Sequence, residues 1–290
     1  MKSFTKSSLL NNLVSKYVIF NKYSLYEYFK LHFKSPKNTI IVCILFIPFT
    51  ILPYLFFQRK TSKEKLHQKN NFIYTLFKNG QLIKFQLKNY NIDVIEKIIY
   101  DSGDFYENDV LEQISKNIAP GFTILDIGAN IGNHTLYFSK ILQAKQIYSF
   151  EPIKETFKKL DYNVKLNACS NVVLYNFALG SSNSWGSSDN VSMGNFGAQK
   201  IKYSSEKKEF EIKTIDDLAI DKSIDFIKID VEGFEEEVIK GGLKTIAKNK
   251  PLIFIEIHPK NFSKMKNLFE ANHYSLIDSF SEDNYLFKAN

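Results

Sequence analysis

The stretch Phe122-Thr123-Ile124-Leu125-Asp126-Ile127-Gly128-Ala129-Asn130-Ile131-Gly132-Asn133-His134 decides the fold of this chain. Its apolar opening, Phe122 to Leu125, reads as a buried parallel strand. An acid ends the run, two glycines follow, and Thr135-Leu136-Tyr137-Phe138-Ser139-Lys140-Ile141-Leu142 continues as a helix. A strand, a glycine-bearing turn and a helix bring backbone N–H groups to a ligand at the carboxyl end of the strand. Glycine is required where the chain turns sharply or a ligand comes too close for a side chain.

The spacing narrows the ligand. A dinucleotide site wants G-x-G-x-x-G, whose middle glycine admits the pyrophosphate. Here Asn130 stands where that glycine belongs, and a carboxylate at Asp126 repels phosphate. The second strand, Gln146-Ile147-Tyr148-Ser149-Phe150, ends in Glu151, where an acid holds a ribose diol. Together Asp126 and Glu151 suit an adenosine bearing a sulfonium, and the pattern resembles the first two motifs of class I S-adenosylmethionine-dependent methyltransferases.

A chain of 290 residues, 44% apolar and 24% charged, holds one large globular domain plus an appendage. Cys43 and Cys169 are too few and too far apart for a disulfide framework or a paired-cysteine metal site, which fits a reducing compartment. The net charge of +7 is unevenly spread. Residues 1–70 carry twelve Lys/Arg against Glu27 and Glu64, or +10, leaving −3 for the remainder. The basicity belongs to the N-terminal region, so the rest has no general nucleic-acid footprint.

Three regions follow. The first, 1–60, is basic and contains the uncharged run 39–57, nineteen residues from Thr39 to Phe57. As a helix this run is about 28 Å long, close to the roughly 30 Å of a bilayer core. Pro48 and Pro53 kink a spanning helix or bend it into an interfacial hairpin. The richer basic flank is C-terminal, so membrane association with the following domain in the cytoplasm is expected; a buried helix in a soluble cytoplasmic protein is the alternative. The second region, 61–120, holds a hairpin around Asn79-Gly80 and a helix from Asp109 to Ile118.

In the third region, 121–290, strands alternate with helices. A third strand (171–178) precedes a long Ser/Gly/Asn-rich loop carrying the only tryptophan, Trp185, which reads as a lid or acceptor loop. An edge strand (208–214), a short helix at 215–218, a buried strand ending at Asp230-Val231-Glu232-Gly233 and a helix over 234–248 come next. A strand ending Glu256-Ile257-His258, a helix and a terminal hairpin close the chain. The fold class is therefore α/β, a Rossmann-like, mostly parallel sheet with an antiparallel terminal edge strand and a basic N-terminal appendage. Right-handed crossovers place Asp126, Glu151, Asp230, Glu232, Glu256 and His258 on one rim.

Residues from about 103 to 260 resemble the FkbM family of methyltransferases. The resemblance rests on Ile124–Gly132, Ser149-Phe150-Glu151-Pro152, Asn176-Phe177-Ala178-Leu179-Gly180, Asn195-Phe196-Gly197, Asp225–Glu235 and Glu256-Ile257-His258-Pro259. It implies a class I fold, S-adenosylmethionine as methyl donor, and often O-methylation of sugars or other small polar acceptors. It does not reach residues 1–60.

Methyl transfer to a hydroxyl needs alignment and removal of a proton. Asp126 with Gly128, Ala129, Asn130 and Gly132 is expected to cradle the methionine end, and Glu107 its amino group or merely a helix N-terminus. Glu151 is assigned to the ribose, and Asn176 and Ala178 to the adenine. Asp230 or His258 is the expected base, with Glu232 and Glu256 orienting acceptor or base and Asn195 on the acceptor side. A divalent ion on Asp230, Glu232 and His258 is the competing reading. Lys228 and Glu235 are read as a structural or solvated pair, and His32, His67, His134 and His273 as structural or exposed. Two rival classes remain: a membrane-tethered scaffold without chemistry, and an NAD-dependent oxidoreductase, which the missing middle glycine disfavours.

Overall fold

The computed structural model describes residues 63–189, 194, 197, 199–280 and 283–290. The run 39–57 and Asn195 lie outside the described residues. Residues 70–290 form one compact unit, separate from 1–69. The hairpin and helices before residue 120 therefore belong with the sheet rather than with the appendage.

Strands β1 (Ile73–Lys78) and β2 (Gln81–Gln86) pair antiparallel. Asn79 and Gly80 both have positive φ, +47° and +78°, as a type I′ turn demands. Helix α1 (Val94–Ser102) had no counterpart in the sequence reading. Asp93 starts it, its side chain accepting from the Glu96 amide, and Gly103 ends it at φ +75°. Helix α2 (Asn108–Ser115) leads to β3 (Thr123–Ile127), α3 (Asn133–Lys140), β4 (Gln146–Phe150), α4 (Lys154–Leu166) and β5 (Val172–Tyr175). The amides of Lys84 and Gln86 donate to Asn167 and Asn163 at 2.8 Å, which fastens the β1–β2 hairpin to α4 and its C-terminus.

The expected strand 171–178 divides. Its end becomes β6 (Ala178–Leu179) of a second sheet that also contains β7 (Ser184–Ser188), β8 (Ile201–Tyr203) and β9 (Phe210–Lys213), in the order β6-β9-β7-β8. The tryptophan-bearing stretch is thus partly a strand, and 208–214, expected at an edge, lies between two partners. Chain returns through β10 (Phe226–Ile229), α5 (Glu235–Lys240), α6 (Leu243–Asn249), β11 (Leu252–Glu256), α7 (Phe262–Ala271), β12 (Tyr274–Ser279) and β13 (Asn284–Ala289). The helix expected over 234–248 breaks at Gly241-Gly242. A Cβ on Gly241 would lie 1.9 Å from the Gly180 carbonyl oxygen, so the backbone just after β6 occupies the space of a side chain.

The main sheet has the order β12-β13-β11-β10-β3-β4-β5. Pairings β11/β10, β10/β3, β3/β4 and β4/β5 are parallel. The one reversed strand, β13, pairs antiparallel with both β11 and β12. It is therefore inserted beside β11, not at the expected edge, and β12 forms the edge. Side chains explain the swap: Tyr285, Leu286 and Phe287 of β13 are all buried, whereas most of β12 is exposed or half-buried. The central parallel strands β3, β4, β10 and β11 are buried on both faces, whereas β5 at the edge is half-buried or exposed. Ile124, Phe226 and Phe254 pack with Leu136, Phe138 and Phe105 on one side; Leu125, Ile227 and Ile253 pack with Val238, Ile246 and Phe269 on the other.

Candidate active site

At β3 the chain order reverses, with β4 and β5 to one side and β10 and β11 to the other. Such a switch point opens a crevice beyond the carboxyl ends of the strands. The cleft found there is lined by Gly128 and Asn130 after β3, Glu151 after β4, Ala178 and Leu179 of β6, Asp230 and Glu232 after β10, and Glu256 ending β11. Val94, Ile95, Tyr106, Ile153, Gln199 and Ile201 complete much of its wall.

The turn after β3 is shaped by three positive φ values, Gly128 (+79°), Asn130 (+49°) and Gly132 (+93°). A Cβ on Gly128 would stand 1.8 Å from the Asp230 carbonyl oxygen, so only glycine lets the tips of β3 and β10 approach. The amides of this turn are largely spent inside the protein. Gly128 and Ala129 donate to the Phe150 carbonyl at 3.0 and 2.9 Å, and Gly132 donates to Ala129 O at 2.9 Å. Asn130 N donates to Glu151 Oε2 at 3.0 Å. The loop is therefore not an anion cradle, and its glycines serve close packing.

Glu151 Oε1 accepts from Ile153 N at 2.8 Å, so two amides aim its carboxylate at the cleft. Asn176 Nδ2 donates to the carbonyls of Glu151 and Pro152 at 2.8 and 3.1 Å. Its side chain thus supports the acid rather than lining the cleft, where its neighbour Ala178 does stand.

Asp126 is fully buried below the cleft floor. Its Oδ2 accepts from Thr135 Oγ1 at 2.5 Å, and its Oδ1 lies 3.5 Å from Lys228 Nζ, an ion pair rather than a formed hydrogen bond. Lys228 also sits 3.3 Å from Asp230 Oδ2 and donates to the Gly128 carbonyl at 2.8 Å. Burial pulls its pKa down, but Asp230 and Asp126 outweigh that and hold it raised. Lys228 thus ties β3, β10 and the glycine turn together. Glu235 pairs elsewhere, accepting from Gly233 N at 2.7 Å. The signal for Lys228 was present in the sequence: a lysine inside an all-apolar strand has to be paired, and Asp230 is two residues away.

The cleft and its border are crowded with carboxyls. Burial pushes Glu151 up to about 7, against the opposing pull of its two amide hydrogen bonds. Burial, then Asp230, raises Glu107 to about 7. Burial, then Asp230 and Glu235, does the same for Glu232. Glu256 is raised further by burial and by Asp230, Asp283 and Glu107. The Tyr106 phenol is raised by burial and by Glu107, Asp230, Glu256 and Glu232. Asn133 holds the Tyr106 backbone in place, accepting from its amide at 3.0 Å and donating to its carbonyl at 2.9 Å. Tyr106 is a cleft residue that sequence reading passed over, because nothing local distinguishes it from a core tyrosine.

Other expected site residues stand outside the lining. Glu107 begins α2 with a left-handed backbone (φ +54°), its Oε2 4.0 Å from Nε2 of buried His134. Ala129 and Gly132 are structural parts of the turn. His258 is exposed, its Nδ1 accepting from Lys260 N at 3.3 Å. It does not meet Asp230 and Glu232 in a ligand set, and among the described residues no group of three or more His, Cys, Asp or Glu side chains is arranged to hold a metal ion.

Fold and site together define an α/β protein with an acidic ligand cleft at the switch of a parallel sheet. The family model described as Methyltransferase FkbM domain matches residues 126–283, and the chain belongs to that family. A curated relative, the hexuronic acid methyltransferase AglP of Haloferax volcanii, is 28% identical over 186 residues, covering 61% of this chain and 74% of its own. The crystal structure of methyltransferase FkbM from Methylobacillus flagellatus KT is 18% identical with a TM-score of 0.44, covering 59% of this chain and 44% of that one. That of M. jannaschii TYW2 in complex with AdoMet is 14% identical with a TM-score of 0.39, covering 74% and 83%.

Proposed function

We propose that this chain transfers a methyl group from S-adenosylmethionine to a hydroxyl of a sugar or glycan acceptor. The observation that carries the reading is Glu151, a cleft carboxylate oriented by two amides at the tip of β4. That is a receptor for paired ribose hydroxyls. The residues fit the donor: Ile153, Ala178 and Leu179 offer an apolar wall to an adenine, and the surplus of cleft acids favours a cationic guest. When bound, the donor supplies a methyl carbon activated by its sulfonium. Asp126 contributes from below, by holding Lys228 against the turn. The sugar acceptor is supported by the relative's chemistry, and family membership does not favour a scaffold without activity. Calorimetric titration with the donor, followed by transfer of labelled methyl to galacturonate, tests the reading; absence of donor binding sinks it.

Glu232 is the base we assign. It lines the cleft, has the pKa of about 7 that suits proton abstraction near neutral pH, and is less engaged than Asp230, which pairs with Lys228. His258 is exposed and stands outside the lining, so it is not retained for that role. A base must be unprotonated to act, so turnover should fall as pH drops through about 7. Glu232→Gln is expected to lower kcat by about a hundredfold or more while leaving donor affinity within a few fold. Normal turnover by this variant would remove the assignment.

We also assign residues 39–57 to membrane attachment, with the catalytic body on the cytoplasmic side. Nineteen uncharged residues flanked by lysines support this. Among the described residues no helix is long and apolar enough to cross a membrane. The full chain should float with vesicles rich in anionic lipid, and Leu45→Asp should release it. Flotation unaffected by that change would refute the assignment.

A further inference from the structure

The small sheet has an outer face that the cleft does not use. Gly186 of β7 points inward, where a Cβ would lie 2.4 Å from the Phe210 ring. Its neighbour Trp185 therefore points outward, and it is 40% exposed. Across the strand pair Trp185 stands opposite Glu211, and Glu211 pairs with Lys213 at 3.0 Å. Two ammonium groups lie over aromatic rings here: Lys208 Nζ is 5.8 Å from the Trp185 ring centre, and Lys213 Nζ is 4.6 Å from that of Phe177, just before β6. Lys213 is neutralised by Glu211. Lys208 is exposed and makes no ion pair among the described residues, although its neighbours Lys207 and Lys202 do, with Glu209 and Asp189.

From this arrangement we infer a second carbohydrate site, on the outer face of the small sheet, that takes an anionic, uronate-containing stretch of the acceptor glycan. The inference rests on the sugar acceptor proposed above and extends it from one residue to a chain. An exposed indole offers a flat apolar surface to the C–H face of a pyranose ring, at small entropy cost because two torsions fix it. The ammonium of Lys208, held over that ring and without a carboxylate partner among the described residues, supplies charge complementarity for a sugar acid. The site is joined to the cleft through its own sheet: β6, at one edge, gives Ala178 and Leu179 to the cleft wall, and β8, at the other, gives Ile201. A glycan bound on Trp185 is thereby held by the same sheet that walls the cleft, and a chain long enough to pass round the sheet edge has the effective concentration of its terminal sugar raised there.

Trp185 is the only tryptophan in the chain, so its emission reports this face directly. Titrating the full chain, without donor, with tetragalacturonate should give a saturable change in emission; maltotetraose should bind at least about fivefold more weakly. Lys208→Ala should weaken tetragalacturonate binding by about fivefold. Trp185→Ala should raise KM for methylation of tetragalacturonate by about tenfold and leave KM for galacturonate monomer unchanged. Equal emission changes with the neutral and acidic tetrasaccharides, or none with either, would overturn the inference. So would a Trp185→Ala enzyme that loses monomer and tetramer activity alike. If instead tetragalacturonate binding is seen and no sugar is methylated, the second site stands and the proposed reaction fails.

Discussion

Glu151→Ala is expected to weaken S-adenosylmethionine binding by about a hundredfold. A hydrogen bond to a charged group contributes about 1.5–3 kcal/mol, and loss of the carboxylate that receives a ribose diol removes about 3 kcal/mol, or two decades in Kd. The alanine also leaves the amides of Asn130 and Ile153 without their acceptor, so the loop after β4 loosens. Glu151→Gln keeps the shape and one acceptor oxygen, and an intermediate loss of about tenfold is expected. The pH dependence has a definite sign. Burial raises this carboxyl to about 7, so it is protonated below that value and ionised above it. Donor affinity in the unsubstituted chain should therefore rise as pH increases through 7, and Glu151→Gln should flatten the rise. Calorimetric titration at several pH values measures both effects, and an alanine variant with affinity within threefold of the parent would contradict the site.

Gly128→Ala should be the most damaging single-methyl change in the domain. At φ +79° an L residue costs about 1–2 kcal/mol, and its Cβ would overlap the Asp230 carbonyl oxygen at 1.8 Å. Neither partner is a flexible side chain. Relief requires the tips of β3 and β10 to separate, which breaks the Lys228 contacts with Gly128 O and Asp230 and leaves buried charges poorly paired. A total of about 4 kcal/mol is expected, or roughly 8–16 °C in Tm for a domain of this size. Gly132→Ala is the control. Its φ of +93° carries the same backbone cost, but the added methyl meets only the end of the Leu160 side chain at 2.9 Å, which can swing aside. About 1–2 kcal/mol is expected there. Thermal unfolding of the two variants separates close backbone approach from backbone strain, and equal melting temperatures would discard the first.

Local sequence chemistry carried much of this protein. Apolar runs ending in an acid set the parallel strands and, through right-handed crossovers, put Glu151, Asp230, Glu232 and Glu256 at one cleft. Asn79-Gly80 fixed a hairpin, because both residues accept the positive φ it needs. These features depend on neighbours in the chain, so they can be read from spacing alone.

What spacing could not decide was which side chains face the ligand and which hold the floor beneath it. Asp126 looked like a ligand contact, yet a lysine 102 positions later claims it from below, across a parallel pairing of β3 with β10. His258 sits two residues beyond Glu256 and reads as its partner on the rim, but the turn started by Pro259 leaves it in solvent. The place of β13 beside β11, the break at Gly241 and the outward face of Trp185 arise the same way, from contacts between distant segments competing for the same space. The sequence alone determined the alternation of the parallel strands with helices and the chemistry of the strand tips. Only tertiary packing decided which side chains at those tips line the cleft and which hold its floor, because burial and charge pairing belong to the assembled sheet and not to any stretch of it.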